Sequence, residues 1–424
     1  MKLNDVLDSL NLVLTGEEKK FLNLKARVMK ELFEKEIKKS KIKARVFIGG
    51  SLSKNTIVKS NSYEIDLFVA FDWKYESISD ILRKILKNIL KREKFKVKEI
   101  HGSRDYFRIE DKNLIFEIIP VVDIKKPREA RNVTDLSYFH VNYVKNKVKK
   151  IGIPREIIVA KAFCKAQGFY GAESYIQGFS GYALECLIIY YKTFEKMLKA
   201  LSNTKEKLII DPESKFKNKK DILMELNESR LQGPIVLIDP TWKERNVLAA
   251  LSSETFKKFQ NSAKNFLKNP KKDYFIMGEF DENKFTYLAK KKKAQYVKII
   301  LETNKQEGDI AGTKLKKAFY FILRGISEYS EIFDSGFQYS GGKNASGHVI
   351  LKLKREITKK GPPLNMKKAC IEFKKTNKNI FEKNGFLFSK NKLEDTIDVF
   401  MRKFLNNKRK TLRDMNITNF KIKN

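Results

Sequence analysis

The stretch EEKKFLNLKARVMKELFEKEIKKS, residues 17–40, sets Phe21, Leu24, Val28, Leu32 and Ile37 at roughly helical spacing with charges between them, which predicts an amphipathic helix. SISDILRKILKNILK, residues 77–91, repeats that pattern. Between the two the apolar runs shorten to ARVFIG and EIDLFVAF, two predicted strands flanking the glycine-serine turn GGSLSKNT. FKVKEI, RDYFRIE and NLIFEIIPVV come next as further strands, with turns at HGS and EDK. The first stretch of chain therefore reads as a mixed α+β unit with a sheet built largely from hairpins. From about residue 130 the pattern is mostly helical, as in REIIVAKAFCKAQGF and GYALECLIIYYKTFEKMLKAL. The last part is mixed again, with candidate strands DYFIMGEF, AQYVKIILE and GHVILKLK. The expectation is an α+β, multidomain protein divided at 1–130, 131–265 and 266–424. The opening MKLNDVLDSLNLVLTGEEKK reads as a helix rather than a signal peptide, because it alternates apolar and polar residues and lacks a small-residue cleavage site.

Composition narrows the class. A chain of 424 residues with 42% hydrophobic content fits a globular protein of about two to four domains. Eighty-eight Lys and Arg against 51 Asp and Glu give a formal charge of +37, a field that attracts a polyanion, either nucleic acid or an anionic membrane surface. No apolar run approaches the roughly 20 residues of a membrane span. Cys164, Cys186 and Cys370 form neither a ligand spacing nor an even disulfide framework, so a reduced, cytoplasmic setting is expected. The basic runs SKFKNKK, KKKK and NKRK read as solvated loops or helix faces that also suit phosphate contacts.

Against this basic background the carboxylates are informative. Glu64 and Asp66 open the strand EIDLFVAF, and residues two apart on a strand share a face about 6 to 7 Å from each other. Glu117 is the only charged residue in the apolar run NLIFEIIPVV. A carboxylate in such a strand costs several kcal/mol unless a Lys, an Arg or a metal cation satisfies it. If the two strands are neighbours, three oxygen donors converge, a set suited to Mg²⁺ and to two-metal phosphoryl chemistry. Gly50 and Ser51 would then offer backbone N–H groups and a hydroxyl to phosphate oxygens, with no side chain on the glycine to obstruct them.

A glycine-serine turn, a carboxylate-x-carboxylate strand and a third carboxylate on a later strand resemble the polymerase-β-like nucleotidyltransferase superfamily. Further segments are similar, in order over most of the chain, to the archaeal-type (class I) CCA-adding tRNA nucleotidyltransferases. These are GSLSKNT, EIDLFVAF, EIIP at 117–120, TDLSYFH, AKAFCKAQGFYGAESYIQGFSGYALE at 160–185 and IDPTWKERNVLAALS at 238–252, with weaker echoes in KKGPPL and FEKNGFLF. The resemblance implies a polymerase-β-like catalytic domain, a helical nucleotide-binding domain and α+β C-terminal regions that bind tRNA. It implies template-independent addition of C, C and A to the tRNA 3′ end from CTP and ATP. Glu64, Asp66 and Glu117 would hold two Mg²⁺ ions. Gly50, Ser51, Lys54, Lys161 and Tyr170 would contact the triphosphate, His140 the nucleotide, Ser137 the ribose, and Arg245 the incoming base. The tRNA would be gripped by its acceptor stem, T arm and 3′ end, and family members are dimers, which points to a homodimer. The sequence departs from the family at Lys54, where arginine is usual, at Glu117, where aspartate is usual, and at Val141, where histidine is usual. The rival readings are a poly(A) polymerase or an oligoadenylate-synthetase-like enzyme, or a non-catalytic RNA-binding protein on the same scaffold.

Overall fold

The computed structural model describes residues 3–102, 104–278, 281–393 and 395–423. The N-terminal stretch is not one helix. It forms α1 (Leu3–Asp8), a connecting loop and then α2 (Gly16–Lys39). The break is set by Thr15, whose hydroxyl accepts from the Glu18 amide at 3.1 Å while the Glu18 carboxylate accepts from the Thr15 amide at 2.7 Å. That reciprocal pair satisfies two of the amides a helix start leaves unbonded, so the helix begins there.

The long helix forms where its periodicity predicts, but its buried face differs from the expected one. Leu22, Ala26, Met29, Phe33 and Ile37 are buried, whereas Phe21, Leu24 and Val28 are 49%, 58% and 56% exposed. Two apolar stripes run along α2, and the second fits the helical repeat through residues 22, 26, 29, 33 and 37. It packs onto β1 (Ala44–Ile48) and α4 (Ile78–Leu90).

A one-turn helix, α3 (Gly50–Ser53), joins β1 to β2 (Tyr63–Phe71). After α4 come β3 (Lys96–Ile100), β4 (Tyr106–Asp111) and β5 (Leu114–Val122). The strands lie in the order β1-β2-β5-β4-β3. Three pairings are antiparallel, as expected of hairpins, but β2 and β5 pair in parallel with Asp66 directly opposite Glu117. Period-two alternation then sorts the faces. Ile65, Leu67, Val69, Phe116 and Ile118 join the core under α2 and α4, while Glu64, Asp66 and Glu117 stand on the opposite face.

A second core is helical: α5 (Ser137–Ile151), α6 (Pro154–Ala166), α7 (Gly181–Tyr191), α8 (Phe194–Asn203) and the helix Ser253–Lys268. The apolar run from 181 to 201 breaks at Lys192 (φ 73°), after which Thr193 caps α8 through its hydroxyl. Two short strands, β6 (Leu208–Ile210) and β7 (Ile235–Leu237), pair in parallel beside it. The expected strand DYFIMGEF is not formed in its described residues: Lys272–Phe275 is a 3-10 turn, and Glu279 and Phe280 lie outside them. Tyr274 and Phe275 serve the helical core instead, Tyr274 stacking with Phe163 at 6.3 Å between ring centroids.

All of this lies in one compact unit, Met1–Met277; Gly278–Asn424 forms another. The second unit contains β8 (Gln295–Thr303), β9 (Ser330–Tyr339), β10 (Asn344–Leu353), β11 (Glu356–Pro363), β12 (Ile380–Lys383), β13 (Phe386–Lys392) and β14 (Ile417–Lys423). They form an antiparallel sheet β14-β8-β10-β9 and a smaller sheet β11-β13-β12. The expected strands AQYVKIILE and GHVILKLK correspond to β8 and β10. Cys164, Cys186 and Cys370 are buried and unbridged. No described helix is long and apolar enough to cross a membrane.

Candidate active site

The polar face of β2 opens onto a cleft of about 500 Å³. Of the residues singled out in the sequence, Gly50, Ser51, Lys54, Glu64, Asp66, Lys161 and Tyr170 line it, joined by Thr56, Lys165 and Gly181, whereas Glu117 does not. A cavity of similar size, about 510 Å³, lies beside the helix Lys367–Thr376, but it gathers none of the candidate residues.

The glycines are there for space. Gly50 has φ +58°, and a Cβ on it would stand 1.5 Å from Asp66 Oδ2. A Cβ on Gly49 would run 2.2 Å from the Phe68 ring. The turn and the acidic strand are thus packed so closely that only hydrogen fits between them. The Gly49 amide donates to the Asp66 carbonyl at 2.8 Å and fixes that approach.

The three carboxylates share a sheet face, yet a guanidinium stands among them. Arg108 on β4 is in register with Glu117 and donates to its Oε1 from Nε at 2.8 Å and Nη2 at 2.7 Å. The same Nη2 lies 3.5 Å from Glu64 Oε1. Arg108 thus supplies the cationic side chain that the sequence left open as one way to satisfy Glu117. The donor atoms of Glu64, Asp66 and Glu117 accordingly do not all lie within 4.8 Å of one another, as those of Glu99, His101 and Asp105 do. That second group is a neutralised surface network, since Arg83 pairs with Glu99 and Asp105.

Asp66 stands apart from this pairing. Among the described residues its carboxylate accepts no hydrogen bond, and Arg108 reaches only its two neighbours. Burial pushes the Asp66 carboxyl up to about 6, against the opposing pull of Lys54. Burial, then the nearby Asp66 charge, pushes Glu117 up to about 7. A desolvated carboxylate without a partner, beside a second one and facing a cleft, is a donor set that fits a hard divalent cation. Glu64, Asp66 and Glu117 are the side chains placed to hold it.

Across the cleft, Glu185 on α7 gathers the basic side chains. It is fully buried and takes Lys54 Nζ at 2.7 Å on Oε2, and Lys161 Nζ at 2.6 Å and Thr56 Oγ1 at 2.8 Å on Oε1. Burial works to raise the Glu185 carboxyl, but Lys161 and Lys54 outweigh it and hold it down at about 2. Burial lowers Lys161 to about 8. The Tyr170 hydroxyl lies against Gly181 at the start of α7, where a Cβ would stand 2.7 Å from it. Burial raises that phenol.

His140 and Arg245 meet elsewhere, around Asp239. His140 Nε2 lies 3.1 Å and Arg245 Nη1 2.7 Å from Asp239 Oδ2. Tyr182 donates to Oδ1 at 3.0 Å and stacks on His140 with ring centroids 3.9 Å apart. Burial lowers the His140 imidazole despite the Asp239 bond. These residues do not line the triphosphate-sized cleft, and neither does Ser137, which begins α5. Phe169 and Phe179 belong to the helical core and Tyr170 and Tyr182 pack against it.

Sequence reasoning passed over Arg108, Thr56, Lys165, Glu185 and Asp239. Glu185 carried the signal that exposed Glu117, a single charge in an apolar run, GYALECLIIYY. Arg108 had no such signal, because a strand arginine is ordinary until its cross-strand neighbour is known.

Residues 155–276 match the family model described as "tRNA nucleotidyltransferase, second domain". The CCA-adding enzyme of Nanoarchaeum equitans is 40% identical over 211 residues, covering 50% of this chain and 52% of that protein. So this chain spans about half the length of that relative. The CCA-adding enzyme of Pyrococcus abyssi is 28% identical over 397 residues, 92% of this chain and 85% of that protein. A crystal structure of the Cid1 poly(U) polymerase superimposes with a TM-score of 0.51 at 12% identity, covering 65% of this chain and 98% of that one, a likeness of fold. The ordered motifs, the register of the acidic strands and these relatives agree: the chain is similar over most of its length to the archaeal CCA-adding enzymes, and its fold is of the polymerase-β-like nucleotidyltransferase kind.

Proposed function

We propose that the protein adds C, C and A to the 3′ end of tRNA from CTP and ATP without a template, releasing pyrophosphate. The observation that carries this reading is the register of β2 and β5. It sets Asp66, which lines the cleft with the Gly50–Ser51 turn, Lys54 and Lys161, opposite Glu117 on the same face of the sheet. Nucleotidyltransferases of this kind typically use Mg²⁺, and the donor set suits two such ions.

Bound there, Mg²⁺ would neutralise phosphate charge and make the terminal tRNA hydroxyl a better nucleophile. The protein's own task is then positioning and charge complementarity, as expected of phosphoryl transfer. Glu64, Asp66 and Glu117 hold the cations. Gly50 lets the Asp66 carboxylate close against the turn, and Ser51 offers its hydroxyl to the phosphates. Lys54, Lys161 and Tyr170 bind the triphosphate from the opposite wall. Arg245, braced by Asp239, shapes the base pocket with His140 nearby, and Ser137 contacts the ribose. The positive surface holds the acceptor stem and T arm of tRNA through phosphates and A-form shape.

Incubation of the protein with tRNA lacking CCA, CTP, ATP and Mg²⁺, followed by sequencing of the product ends, tests this. Addition of C, C and A in order, stopping after A, is expected. Long A tails would instead indicate a poly(A) polymerase. Retention of tRNA with no incorporation would indicate an RNA-binding protein that lacks catalysis.

A further inference from the structure

We infer that Glu185 is the positioning residue for the nucleotide's triphosphate, holding Lys54 and Lys161 side by side on the cleft wall. This deepens the reading of the cleft as a nucleotide site and rests on it.

Glu185 lies on a helix whose neighbours Leu184, Cys186, Leu187 and Ile188 are buried, in a place where an unpaired carboxylate would cost several kcal/mol. A carboxylate that served only to staple the core would need one cation. Glu185 has two, one on each oxygen, drawn from separate parts of the chain: Lys54 ends α3 and Lys161 belongs to α6. Thr56 closes the group, its hydroxyl 2.8 Å from Glu185 Oε1 and 2.9 Å from Lys161 Nζ. Two ammonium groups against one carboxylate leave an excess of buried positive charge, and the exposed Lys165 lines the same cleft. A polyphosphate entering the cleft supplies the missing anion. Lys54 keeps donors to spare, since an ammonium has three and Glu185 takes one, whereas Lys161 also donates to the Thr56 hydroxyl at 2.9 Å and the Thr56 carbonyl at 3.5 Å and would exchange the weaker of these for phosphate.

The groups facing Lys161 are Glu185 from α7, Lys54 and Thr56 from the segment between β1 and β2, Lys165 from its own helix, and Asp66 from β2. Glu185 favours the charged lysine, whereas burial, Lys54 and Lys165 oppose it. Changes at Glu185 and at Lys54 therefore push Lys161 in opposite directions. That distinguishes positioning from a general loosening of the fold.

The test is the pH profile of kcat/KM for CTP on truncated tRNA, together with calorimetric binding of CTP in Mg²⁺, for the wild type and three variants. Glu185→Gln should weaken CTP binding about tenfold, as loss of a charged hydrogen-bond partner does. It should also move the alkaline limb down by about one pH unit. Lys54→Met should move that limb up, because Glu185 then serves Lys161 alone. Thr56→Val, which removes a bond without unpairing a charge, should shift the limb in the Glu185→Gln direction by less and keeps the test available if Glu185→Gln fails to fold. Opposed shifts support the inference. Limbs that stay in place, or that move the same way in Glu185→Gln and Lys54→Met, overturn it while wild-type incorporation leaves the nucleotide site standing. A wild type that neither binds nor incorporates CTP overturns the site itself.

Discussion

Arg108 determines how the acidic face behaves before a cation arrives. Its guanidinium spans Glu117 and Glu64 and so occupies charge that a divalent ion would otherwise take. Arg108→Gln should lower the Mg²⁺ concentration that half-saturates thermal stabilisation by a few-fold, the range allowed by a part-exposed ion pair of roughly 1 kcal/mol. An unchanged midpoint would show that Arg108 does not compete. Asp66→Asn should reduce incorporation by about three orders of magnitude, since metal-borne charge stabilisation is worth several kcal/mol. Retention of truncated tRNA on filters should be unaltered in that variant. The carboxyls of Asp66 and Glu117 lie at about 6 and about 7 in the folded chain, above ordinary values of 3.8 and 4.5. In that window the folded form binds more protons than the unfolded one, so this pair favours the metal-free fold as pH falls and ceases to favour it as pH rises through 7. Mg²⁺ needs the ionised carboxylates, so its stabilisation must run the other way. The Mg²⁺-induced rise in melting temperature should be larger at pH 8 than at pH 6, and an equal rise at both would exclude these groups as ligands.

At the scale of elements, the sequence predicted that α2 is a helix but not which face it buries. Helical periodicity fits two stripes on this segment, and only the docking of β1 and α4 selects the one through Leu22 and Phe33. Phe33→Ala should destabilise the fold by about 3 to 5 kcal/mol. Phe21→Ala, on the exposed stripe, should change stability by about 0.5 kcal/mol or less. Denaturant melts of both variants compare the faces directly. The parallel pairing of β2 with β5 was likewise not visible in the alternation of either strand, because a period of two is the same in parallel and antiparallel sheets. The turn between β1 and β2 was legible down to its glycines, since a glycine pair ahead of an acidic strand has few other uses. Gly50→Ala tests the close approach: with Asp66 Oδ2 where a methyl would go, Mg²⁺-dependent stabilisation should be lost even where the fold survives.

At the scale of the whole molecule, charge dominates. A net +37 is far more than a nucleotide pocket requires and suits a polyanionic partner. Phosphate contacts release condensed counterions, so tRNA affinity should fall by about 10³- to 10⁵-fold between 50 and 200 mM salt if some 6 to 10 phosphates are engaged. Fluorescence anisotropy with labelled tRNA measures the slope, and a flat response would remove the electrostatic account of binding. Organisation at this scale was only partly readable from the chain. Tyr274 and Phe275 suggested a strand at 273–280, but they pack on the helical core of the first unit, whose boundary comes at Met277.

Local spacing and composition suffice for the polyanion-seeking charge, the helices and most strands, the carboxylate pair on one strand face, and the isolated charge at Glu117. They suffice because periodicity, capping and charge are properties of neighbours along the chain. Which strands pair, that Arg108 stands among the carboxylates, and that Glu185 binds two lysines 131 and 24 residues away in sequence emerge only once the chain is folded. Those are contacts between distant segments, settled by how the sheet and the helices bury their apolar faces together, and no local pattern encodes them.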